Sequence, residues 1–378
     1  MCGRLINVTD KSQCCGCGAC VQRCPRSCIT LVEDEMGFSY PVVDQSQCVD
    51  CHLCERVCPF LNEATPCEPV DCLAAASDDD GIRRASSSGG IFTLLASDVI
   101  SRGGVVFGAR FDAEWTVRHD YVETLEDMIA LRRSKYVQSV IGNSFKLAGQ
   151  FLDQGREVLF AGTPCQIAAL RLFLGGKKLP KLFMVDVVCH GVPSPKVWKE
   201  YLQSKSRGKE VSVVNFRDKS TGWRNYSLRI NKWCRHHDFD YYMVCFLSNC
   251  SLRPSCFNCP VKSGRSGSDI TLGDLWGAER LAPSLSDNKG TSLVIVNTEA
   301  GKALVERCGI PRTAPVNYNQ AVALNHAIDR SSTKYSKDYA EFWQLFSQHP
   351  LRAIRRFGRR NQPSLTVRIK RYLIRLLH

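Results

Sequence analysis

The stretch CCGCGACVQRCP, residues 14–25, is followed 34 residues later by a second copy, CVDCHLCERVCP, residues 48–59. Both copies contain the pattern C-x2-C-x2-C-x3-C-P. This spacing lets three thiolates of one copy bind one iron–sulfur cube while the fourth reaches the cube of the other copy. It predicts one 4Fe-4S cluster on Cys14, Cys17, Cys20 and Cys58, and a second on Cys24, Cys48, Cys51 and Cys54.

The segment from Lys11 to Leu61 resembles the bacterial two-cluster 4Fe-4S ferredoxins, which pass single electrons between clusters. Four-cysteine zinc knuckles are the alternative, but they do not need a third cysteine or the closing C-x3-C-P in each copy. Between the copies, apolar runs at 29–32 and 38–43 flank an acidic stretch that ends in Gly37, which predicts a hairpin. We expect a ferredoxin-like domain over residues 1–62.

Cysteine usage and charge narrow the class of protein. The 378 residues include 21 cysteines, too many for an ordinary cytosolic enzyme, in a chain too long for a small disulfide scaffold, so metal binding is favoured. No signal-peptide pattern follows Met1 and no apolar run is long enough to span a bilayer, which indicates a cytoplasmic protein. Of the net charge of +13, nine units lie in residues 351–378, so the body of the chain gives no support for nucleic-acid binding.

Residues 63–81, with two prolines and an acidic run, read as a linker. Beyond it, strand-like and helix-like runs alternate, which predicts a larger mixed α/β domain over residues 82–345 and an α+β fold for the whole chain. The predicted strands lie at 104–111, 157–161, 182–188, 211–216 and 292–297. The predicted helices lie at about 89–101, 143–154, 165–174, 195–205 and 299–308.

Several short motifs in this domain, a Ser-Gly loop and four cysteines, have side chains or amides that can bind a ligand. A Ser-Gly loop, residues 86–90, precedes a helix and would point hydroxyls and amides at an anion such as a phosphate, although most such loops are only helix caps. Cys165 and Cys189 each follow a predicted strand, and Cys256 and Cys259 form a C-x2-C pair. Four thiols suffice for a third cluster. Buried apolar thiols, zinc or a redox dithiol are the alternatives.

Six motifs in order resemble the coenzyme F-420 hydrogenase/dehydrogenase beta-subunit family over roughly residues 70–310. They are Ser87-Ser88-Gly89-Gly90, Lys135-Tyr136-x-Gln138-Ser139, Gly162-Thr163-Pro164-Cys165-Gln166, Cys189-His190-Gly191-Val192-Pro193-Ser194, Cys256-x2-Cys259 and Ser268-Asp269-Ile270-x2-Gly273-Asp274-x-Trp276. Members of this family are flavoproteins that hold FAD beside a 4Fe-4S cluster, and some, similar to the plant hydroxymethyl-chlorophyll reductases, reduce an organic substrate.

The resemblance implies roles for individual residues. Ser87, Ser88, Gly89 and Gly90 would hold flavin phosphates, and Lys135, Gln138 and Thr163 would lie near the flavin. Cys165, Cys189, Cys256 and Cys259 would bind the third cluster, with Cys245 and Cys250 as possible substitutes. His190 is a candidate proton donor by position, but a histidine in such a turn is more often a structural hydrogen-bonding group, so the catalytic acid stays unassigned.

These features predict an iron–sulfur flavoprotein oxidoreductase. It would relay electrons from a ferredoxin or deazaflavin donor through 4Fe-4S clusters to FAD and an organic substrate, because clusters carry single electrons and flavin accumulates two. A non-catalytic electron-transfer subunit of a dehydrogenase or hydrogenase complex is the alternative. An interaction protein that uses clusters as structural staples is the third hypothesis.

The basic tail, residues 346–378, carries a second prediction. Leu365, Ile369, Leu373, Leu376 and Leu377 recur near helical spacing among Arg368, Lys370, Arg371 and Arg375. This pattern is typical of an amphipathic helix on an anionic membrane surface, which would place the protein peripherally at the inner membrane face. A cell-envelope or polysaccharide substrate would follow from that placement. Docking to an acidic protein and plain solvation are the alternatives.

Overall fold

The computed structural model describes residue 6, residues 8–175, 179–332 and 338–364, and residue 366. The strands are β1 (Ile29–Glu33), β2 (Ser39–Val43), β3 (Asp71–Ala76), β4 (Val105–Phe111), β5 (Val117–Val122), β6 (Val158–Gly162), β7 (Leu182–Val187), β8 (Val214–Asp218), β9 (Ser227–Ile230), β10 (Trp233–His236), β11 (Ile270–Asp274), β12 (Ser292–Val296) and β13 (Arg312–Pro315). The helices are α1 (Ala19–Arg23), α2 (Leu53–Arg56), α3 (Asp80–Arg84), α4 (Ile91–Ser101), α5 (Ser144–Asp153), α6 (Pro164–Phe173), α7 (Pro195–Ser206), α8 (Tyr241–Leu247), α9 (Ala278–Leu281), α10 (Glu299–Arg307), α11 (Tyr318–Leu324), α12 (Asp338–Gln348) and α13 (Pro350–Arg360).

The N-terminal part, residues 8–62, forms a small module that we call the ferredoxin-like module. Its strands β1 and β2 pair antiparallel from Ile29 opposite Val43 to Glu33 opposite Ser39, which confirms the predicted hairpin. Two short helices, α1 and α2, each carry cysteines of the repeat. The module's own core contains mainly cysteines and a few aliphatic side chains. A core of this size stabilises a domain weakly without a further cross-link or metal.

The larger domain is built on an eight-stranded sheet with the order β13-β3-β12-β11-β7-β6-β4-β5. Strands β11, β7, β6 and β4 run parallel to one another, and the remaining neighbours pair antiparallel. Parallel strands end at the same edge of a sheet, and loops after them meet there. The segments after β6, β7 and β11 therefore lie side by side.

Helices cover both faces of this sheet, because side chains alternate between the two faces along each strand. Val106 and Leu159 pack with α4 and α10 on one face, whereas Phe107 and Phe160 pack with α5 and α6 on the other. All four side chains are buried. This arrangement confirms the mixed α/β domain and, with the module in front of it, the α+β fold.

A second core lies beside the sheet and is rich in aromatic side chains. Helices α7, α8, α12 and α13 pack there against the antiparallel sheet β10-β9-β8. Helix α13 buries Ile354 and Phe357 in this core and leaves its arginines outside. Within the described part of the chain, none of the helices has both the length and the apolar character needed to span a bilayer.

Two predicted segments differ from the structure. The stretch 63–81, predicted as a linker, contains β3, which pairs with β12 and β13 inside the large sheet. The tail predicted from residue 346 begins with the end of α12 and all of α13, both packed on the aromatic core. Leu351, Ile354 and Phe357 recur at helical spacing, but such a pattern does not distinguish a helix on a membrane surface from one packed on a protein core. The predicted amphipathic helix from Leu365 onward falls outside the described residues, apart from Thr366.

Two points stand out among several at which the large domain holds the module. Ser194 Oγ at the start of α7 donates a hydrogen bond of 2.5 Å to the Met36 carbonyl in the hairpin turn. The turn approaches so closely that a Cβ on Gly37 would lie 2.3 Å from Cβ of Lys196. At the second point, Arg253 Nε donates a 2.7 Å hydrogen bond to the Cys14 carbonyl. The module is therefore docked on the larger domain.

Candidate iron–sulfur and cofactor sites

The eight cysteines of the repeat fall into two groups in the structure. In the first cysteine set, Cys14, Cys17, Cys20 and Cys58, the thiols lie near one another. Burial, together with the nearby sulfurs of Cys14 and Cys58, raises the pKa of Cys20 to about 12. A thiol held in this way loses its proton when a metal binds, because the thiolate is the ligand.

The second cysteine set lines its own cavity at the far side of the module. The set consists of Cys24, Cys48, Cys51 and Cys54. Cys51 is exposed to solvent. Cys28, which the sequence placed off the ligand spacing, also lines this cavity, with its sulfur 3.4 Å from Cys24 Sγ. Cys28 thus packs beside the second set. The other four cysteines that line this cavity are the four that the sequence grouped together for the second cluster.

A third cysteine set forms at the sheet edge. Cys165 lies in the first turn of α6 after β6, Cys189 follows β7, and Cys256 and Cys259 come from a short 3-10 segment, Pro254–Asn258, and the residue after it. Burial raises the pKa of Cys189 and brings that of Cys259 to about 12, with neighbouring sulfurs of the set adding to both shifts. Cys165 and Cys189 meet because the parallel strands β6 and β7 end together, and the segment before β11 brings Cys256 and Cys259 to them.

The two suggested substitutes lie elsewhere. Cys245 and Cys250 are buried in the aromatic core, where the Cys245 thiol lies 3.6 Å from the Ile354 carbonyl and the Cys250 thiol lies 3.4 Å from Ser248 Oγ. Burial raises the pKa of Cys256, and the nearby sulfurs that add to this shift are those of Cys165, Cys189 and Cys259. The structure therefore groups Cys165, Cys189, Cys256 and Cys259 as the four candidate ligands of the third set.

A buried cation faces the third set. Lys262 is 7% exposed, and its ammonium donates hydrogen bonds to the carbonyls of Cys189 and, at 2.6 Å, Ala327. Its positive charge lowers the pKa of Cys189 and opposes the effect of burial. Four thiolates that hold an iron–sulfur cube carry net negative charge, so a nearby ammonium fits such a ligand. Sequence reasoning missed Lys262, since its distance from Cys189 in the chain gave no signal.

Cys15 joins the first and third sets. It is buried, and its thiol lies close to that of Cys165 and packs beside Cys17 in the same apolar cluster. Gln138 Nε2 donates a 2.9 Å hydrogen bond to the Cys15 carbonyl and fixes this loop. Cys15 lies outside the C-x2-C-x2-C-x3-C-P spacing of the repeat. In the structure it packs between two groups of candidate ligands.

A pocket of about 440 Å³ opens at the carboxyl edge of the sheet, and we call it the sheet-edge pocket. Its wall includes Ser86, Ser87, Ser88, Gly90, Lys135, Thr163, Cys189, His190, Arg217 and Asp274. Pockets of this size with a few convergent polar groups are typical small-molecule sites. Because Cys189 also belongs to the third cysteine set, the pocket and that set share a wall.

The Ser-Gly loop is held by its own hydroxyls. Ser87 Oγ accepts hydrogen bonds from the amide and hydroxyl of Ser134, at 2.8 and 3.0 Å, and Ser88 Oγ donates to the Thr291 carbonyl. Among the described residues no side chain caps α4, whose N-cap is Gly90 with φ of 93°. The first amides of α4 therefore lack intrahelical partners and face the loop side of the pocket. Gly89 packs against β3, where a Cβ would lie 2.4 Å from the Ala75 carbonyl oxygen.

The three residues expected near a flavin have different surroundings. Lys135 lines the pocket, donates to the carbonyls of Ala130 and Arg132 at 3.0 and 2.7 Å, and has its pKa lowered to about 7 by burial. Thr163 lines the pocket, and its hydroxyl lies 3.2 Å from Cys165 Sγ. Gln138 lies outside the pocket wall and contacts the ferredoxin-like module instead.

Two further residues of the pocket wall are His119 and Arg217. His119 Nε2 lies 3.0 Å from the Ala161 carbonyl and Nδ1 lies 2.9 Å from Ser139 Oγ. Burial lowers the pKa of His119 to about 4, so its ring is neutral at pH 7. Arg217 is 3% exposed and pairs with Asp274 at 3.0 Å, with its guanidinium over the Tyr226 ring. His119 belongs to no local motif, and only the fold brings it to the pocket.

His190, the candidate proton donor, is largely enclosed. Its Nε2 is buried without a hydrogen-bond partner among the described residues, and its carbonyl accepts a hydrogen bond from Ser332 Oγ. Burial lowers the pKa of the imidazole below its usual value. The ring packs edge-on to Phe246 at 5.2 Å. A neutral imidazole therefore lies in the pocket wall next to Cys189.

Paired cysteine sets in a small module, joined to a sheet domain with a further set beside a pocket, define an iron–sulfur electron-transfer protein of the oxidoreductase type. Comparisons with known families agree with this class. Residues 13–62 match the 4Fe-4S dicluster domain. Residues 155–312 match the family described as the C terminus of the beta subunit of coenzyme F420 hydrogenase/dehydrogenase. The chain thus joins a 4Fe-4S dicluster domain to the C-terminal domain of that beta-subunit family, which confirms the resemblance drawn from its motifs.

Among solved structures, a chain of the F420-reducing [NiFe] hydrogenase complex from Methanosarcina barkeri, studied as a xenon derivative, is similar to this one. The two chains are 18% identical, and the alignment covers 77% of this chain and 91% of that chain with a TM-score of 0.48. No curated protein matches this chain.

Proposed function

We propose that this protein is an iron–sulfur flavoprotein oxidoreductase that connects a one-electron donor to an organic substrate. Electrons enter at the ferredoxin-like module, pass through 4Fe-4S clusters on the three cysteine sets, and reach FAD in the sheet-edge pocket. The observation that carries this proposal is the shared wall, since Cys189 belongs to the third set and also lines the pocket. When bound, FAD accepts electrons singly and passes two of them on as hydride.

The residues around the pocket suit a phosphate-bearing cofactor. The amides of Ile91 and Phe92, at the uncapped start of α4, are available to bind a phosphate, and the helix dipole favours the negative charge. Lys135 brings an ammonium into the wall. The Arg217–Asp274 pair is already neutralised, so it shapes the pocket and does not bind an anion alone.

A deazaflavin coenzyme or a ferredoxin is the proposed donor. The family that matches residues 155–312 is described by coenzyme F420, which is a deazaflavin, and this supports the first choice. The dicluster domain at residues 13–62 supports exchange of single electrons with another iron–sulfur protein. A non-catalytic electron-transfer subunit would need the clusters but no substrate pocket, so flavin content separates the two hypotheses.

Anaerobic reconstitution tests the cofactor content. We expect about twelve irons per chain, four for each cysteine set, and one flavin. Reduced ferredoxin or reduced deazaflavin should bleach the flavin absorbance at about 450 nm, on the order of seconds or faster. Full iron content with no flavin bound would support the relay subunit and contradict the oxidoreductase proposal.

A bulky residue in the pocket tests where the flavin binds. Ala161 lines the sheet-edge pocket, so Ala161→Trp should fill the space and abolish flavin binding while the iron content stays unchanged. Val140 is 45% exposed and lies outside the pocket, so Val140→Trp is the matched control and should bind flavin normally. Retained flavin in Ala161→Trp at full iron content would place the flavin elsewhere.

A further inference from the structure

Arg253 is a fully buried arginine at the junction between the ferredoxin-like module and the larger domain. Its Nε donates to the Cys14 carbonyl at 2.7 Å, and Nη2 donates to the Ser39 carbonyl at 3.0 Å. Nη1 donates to Gln138 Oε1 at 3.0 Å. The guanidinium lies over the Tyr40 ring at 4.3 Å and also reaches a sulfur, since Nη2 is 3.7 Å from Cys14 Sγ.

This guanidinium has no carboxylate partner. Among the residues that the structure describes, no aspartate or glutamate forms a salt bridge with Arg253, and its hydrogen-bond acceptors are carbonyls and an amide oxygen. Burial raises the pKa of the neighbouring Tyr40, so its phenol is neutral and supplies no charge. A buried charge without a counter-charge is strongly destabilising and rare in proteins.

The missing negative charge lies at the first cysteine set, because Cys14 Sγ is within 3.7 Å of Nη2 and becomes a thiolate when it binds iron. Four thiolates around a 4Fe-4S cube leave a net negative charge that grows by one unit on reduction. A fixed cation stabilises the reduced form more than the oxidised form. We propose that Arg253 is the counter-cation of the cluster on the first set and raises its reduction potential above that of the second.

This inference rests on the proposed function and gives the relay a direction. The second set is at the surface, with Cys51 exposed and Asp50 and Glu55 in its lining, whereas the first set contacts Cys165 of the third set through Cys15. One electron passes from the cluster on the second set, which is oxidised, to the cluster on the first set, which is reduced. No bond changes and no proton moves. Arg253 favours this step toward the pocket.

The substitution Arg253→Met tests the proposal by removing the charge and keeping much of the side-chain volume. The experiment is a reductive titration, followed by electron paramagnetic resonance, of the reconstituted Cys256→Ser background, in which only the two module clusters remain. We expect Arg253→Met to lower the potential of one cluster by about 59 mV, equivalent to a tenfold change in the equilibrium constant for exchange with the other cluster. The second cluster should keep its potential.

Arg23→Met is the control matched for charge. Arg23 is in the same module but exposed, so solvent screens its charge and both potentials should stay unchanged. Arg253→Lys keeps a cation and loses the hydrogen-bonding fork, and it should shift the potential less than Arg253→Met. A shift that Arg253→Met and Arg253→Lys share to the same extent would assign the effect to packing and overturn the proposal.

Two outcomes separate this inference from the proposed function. If Arg253→Met retains its iron and neither potential moves, Arg253 is not a counter-cation, whatever the flavin content. If Arg253→Met loses iron, the result for Arg253→Lys decides the question. Eight irons retained per chain with an unshifted potential would support the charge role of Arg253. Loss of iron in Arg253→Lys as well would contradict it. A protein without flavin would end the flavoenzyme proposal but leave both potentials measurable.

Discussion

The ferredoxin-like module and the larger domain gather cysteines in opposite ways. The module brings eight cysteines into two sets within residues 14–58, through short turns and two helices of five and four residues. The larger domain brings four cysteines from residues 165–259 to one place, two of them at strand ends of an eight-stranded sheet and two on the segment before β11. The two parts differ in whether the metal or the folded chain arranges the cysteines. In the module the metal would organise the chain, whereas in the sheet domain the chain organises the site.

Removal of iron should have the largest effect and tests this difference directly. We expect a chelator to unfold residues 8–62, because the module's small core consists largely of the ligand cysteines themselves. The strands of the large sheet should stay folded, since candidate ligands enter only one of the cores that flank it, where Cys17 and Cys165 are a small part of the packing. Amide hydrogen exchange measured by mass spectrometry should therefore show protection lost in the module and kept in β4, β6 and β12. Equal loss of protection in the module and in the large sheet would show that the two parts do not differ in their dependence on the metal.

Loss of one ligand of the third set should have the next largest effect. Cys256→Ser should lower the iron content by about four per chain, from about twelve, and leave the two module clusters in place. The fold should persist, because the sheet places the other three cysteines without the metal. Cys234→Ser is a matched control on an exposed cysteine of β10 and should keep all the iron. Iron analysis and circular dichroism measure the two expectations.

A smaller effect is expected at the ion pair that supports the Ser-Gly loop region. Arg83 is 1% exposed and forms a two-pronged pair with Asp287, both distances being 2.6 Å. Asp287→Asn should lower the free energy of unfolding of the large domain by about 2 kcal/mol at pH 7, a value reduced because Asp287 is partly open to solvent. Denaturant unfolding followed by tryptophan fluorescence measures this.

The pH dependence of the same pair has a defined sign. Contacts with Arg83 hold the pKa of Asp287 well below its usual value, although burial acts against this. A depressed carboxyl pKa contributes stability that is complete above the unfolded value of about 4 and is lost as the pH falls below it. The gap between wild type and Asp287→Asn should therefore narrow from pH 7 to pH 3. A gap that stays constant would show that the charge is not responsible.

The smallest effect is expected at a surface ion pair of the module. Lys11 Nζ lies 2.7 Å from Asp34 Oδ2 and 2.9 Å from Glu35 Oε1, and its side chain is 40% exposed. Exposed pairs contribute less than about 1 kcal/mol. Lys11→Met should leave the iron content and the resistance to chelators unchanged within error. A marked loss of iron in this variant would mean that charge, and not the ligands, maintains the module.

The sequence predicts the module better than the sheet-edge site, for a physical reason. Cluster spacing is a local property, and the hairpin between the copies needs only neighbouring residues, so both followed from residues 14–59. The strand-turn-helix segments that carry Cys165 and Cys189 were also local. Their meeting with Cys256 and Cys259 came from a family resemblance, because nothing in spacing says which strands run parallel.

Residues whose partners lie far away in the chain could not be found from the sequence. Lys262, Arg253 and His119 reach their partners over distances of 42 to 239 residues in sequence, and none belongs to a repeated or spaced pattern. Gln138 was expected beside a flavin, but its side chain contacts the module. Strand β3 escaped notice for a similar reason. Its run of alanines is short, and only pairing with β12 and β13 makes it a strand.

The contacts that hold the module, among them those at the hairpin turn and at the Cys14 loop, have a kinetic consequence. Many electron carriers deliver electrons by the movement of a tethered redox domain between partners, and their turnover slows in viscous solvent. Here Ser194 and Arg253 hold the ferredoxin-like module on the larger domain, so the distance over which each electron moves inside the molecule stays constant. Transfer inside the molecule should therefore proceed equally fast in buffer and in concentrated glycerol, and only the arrival of the external donor should slow.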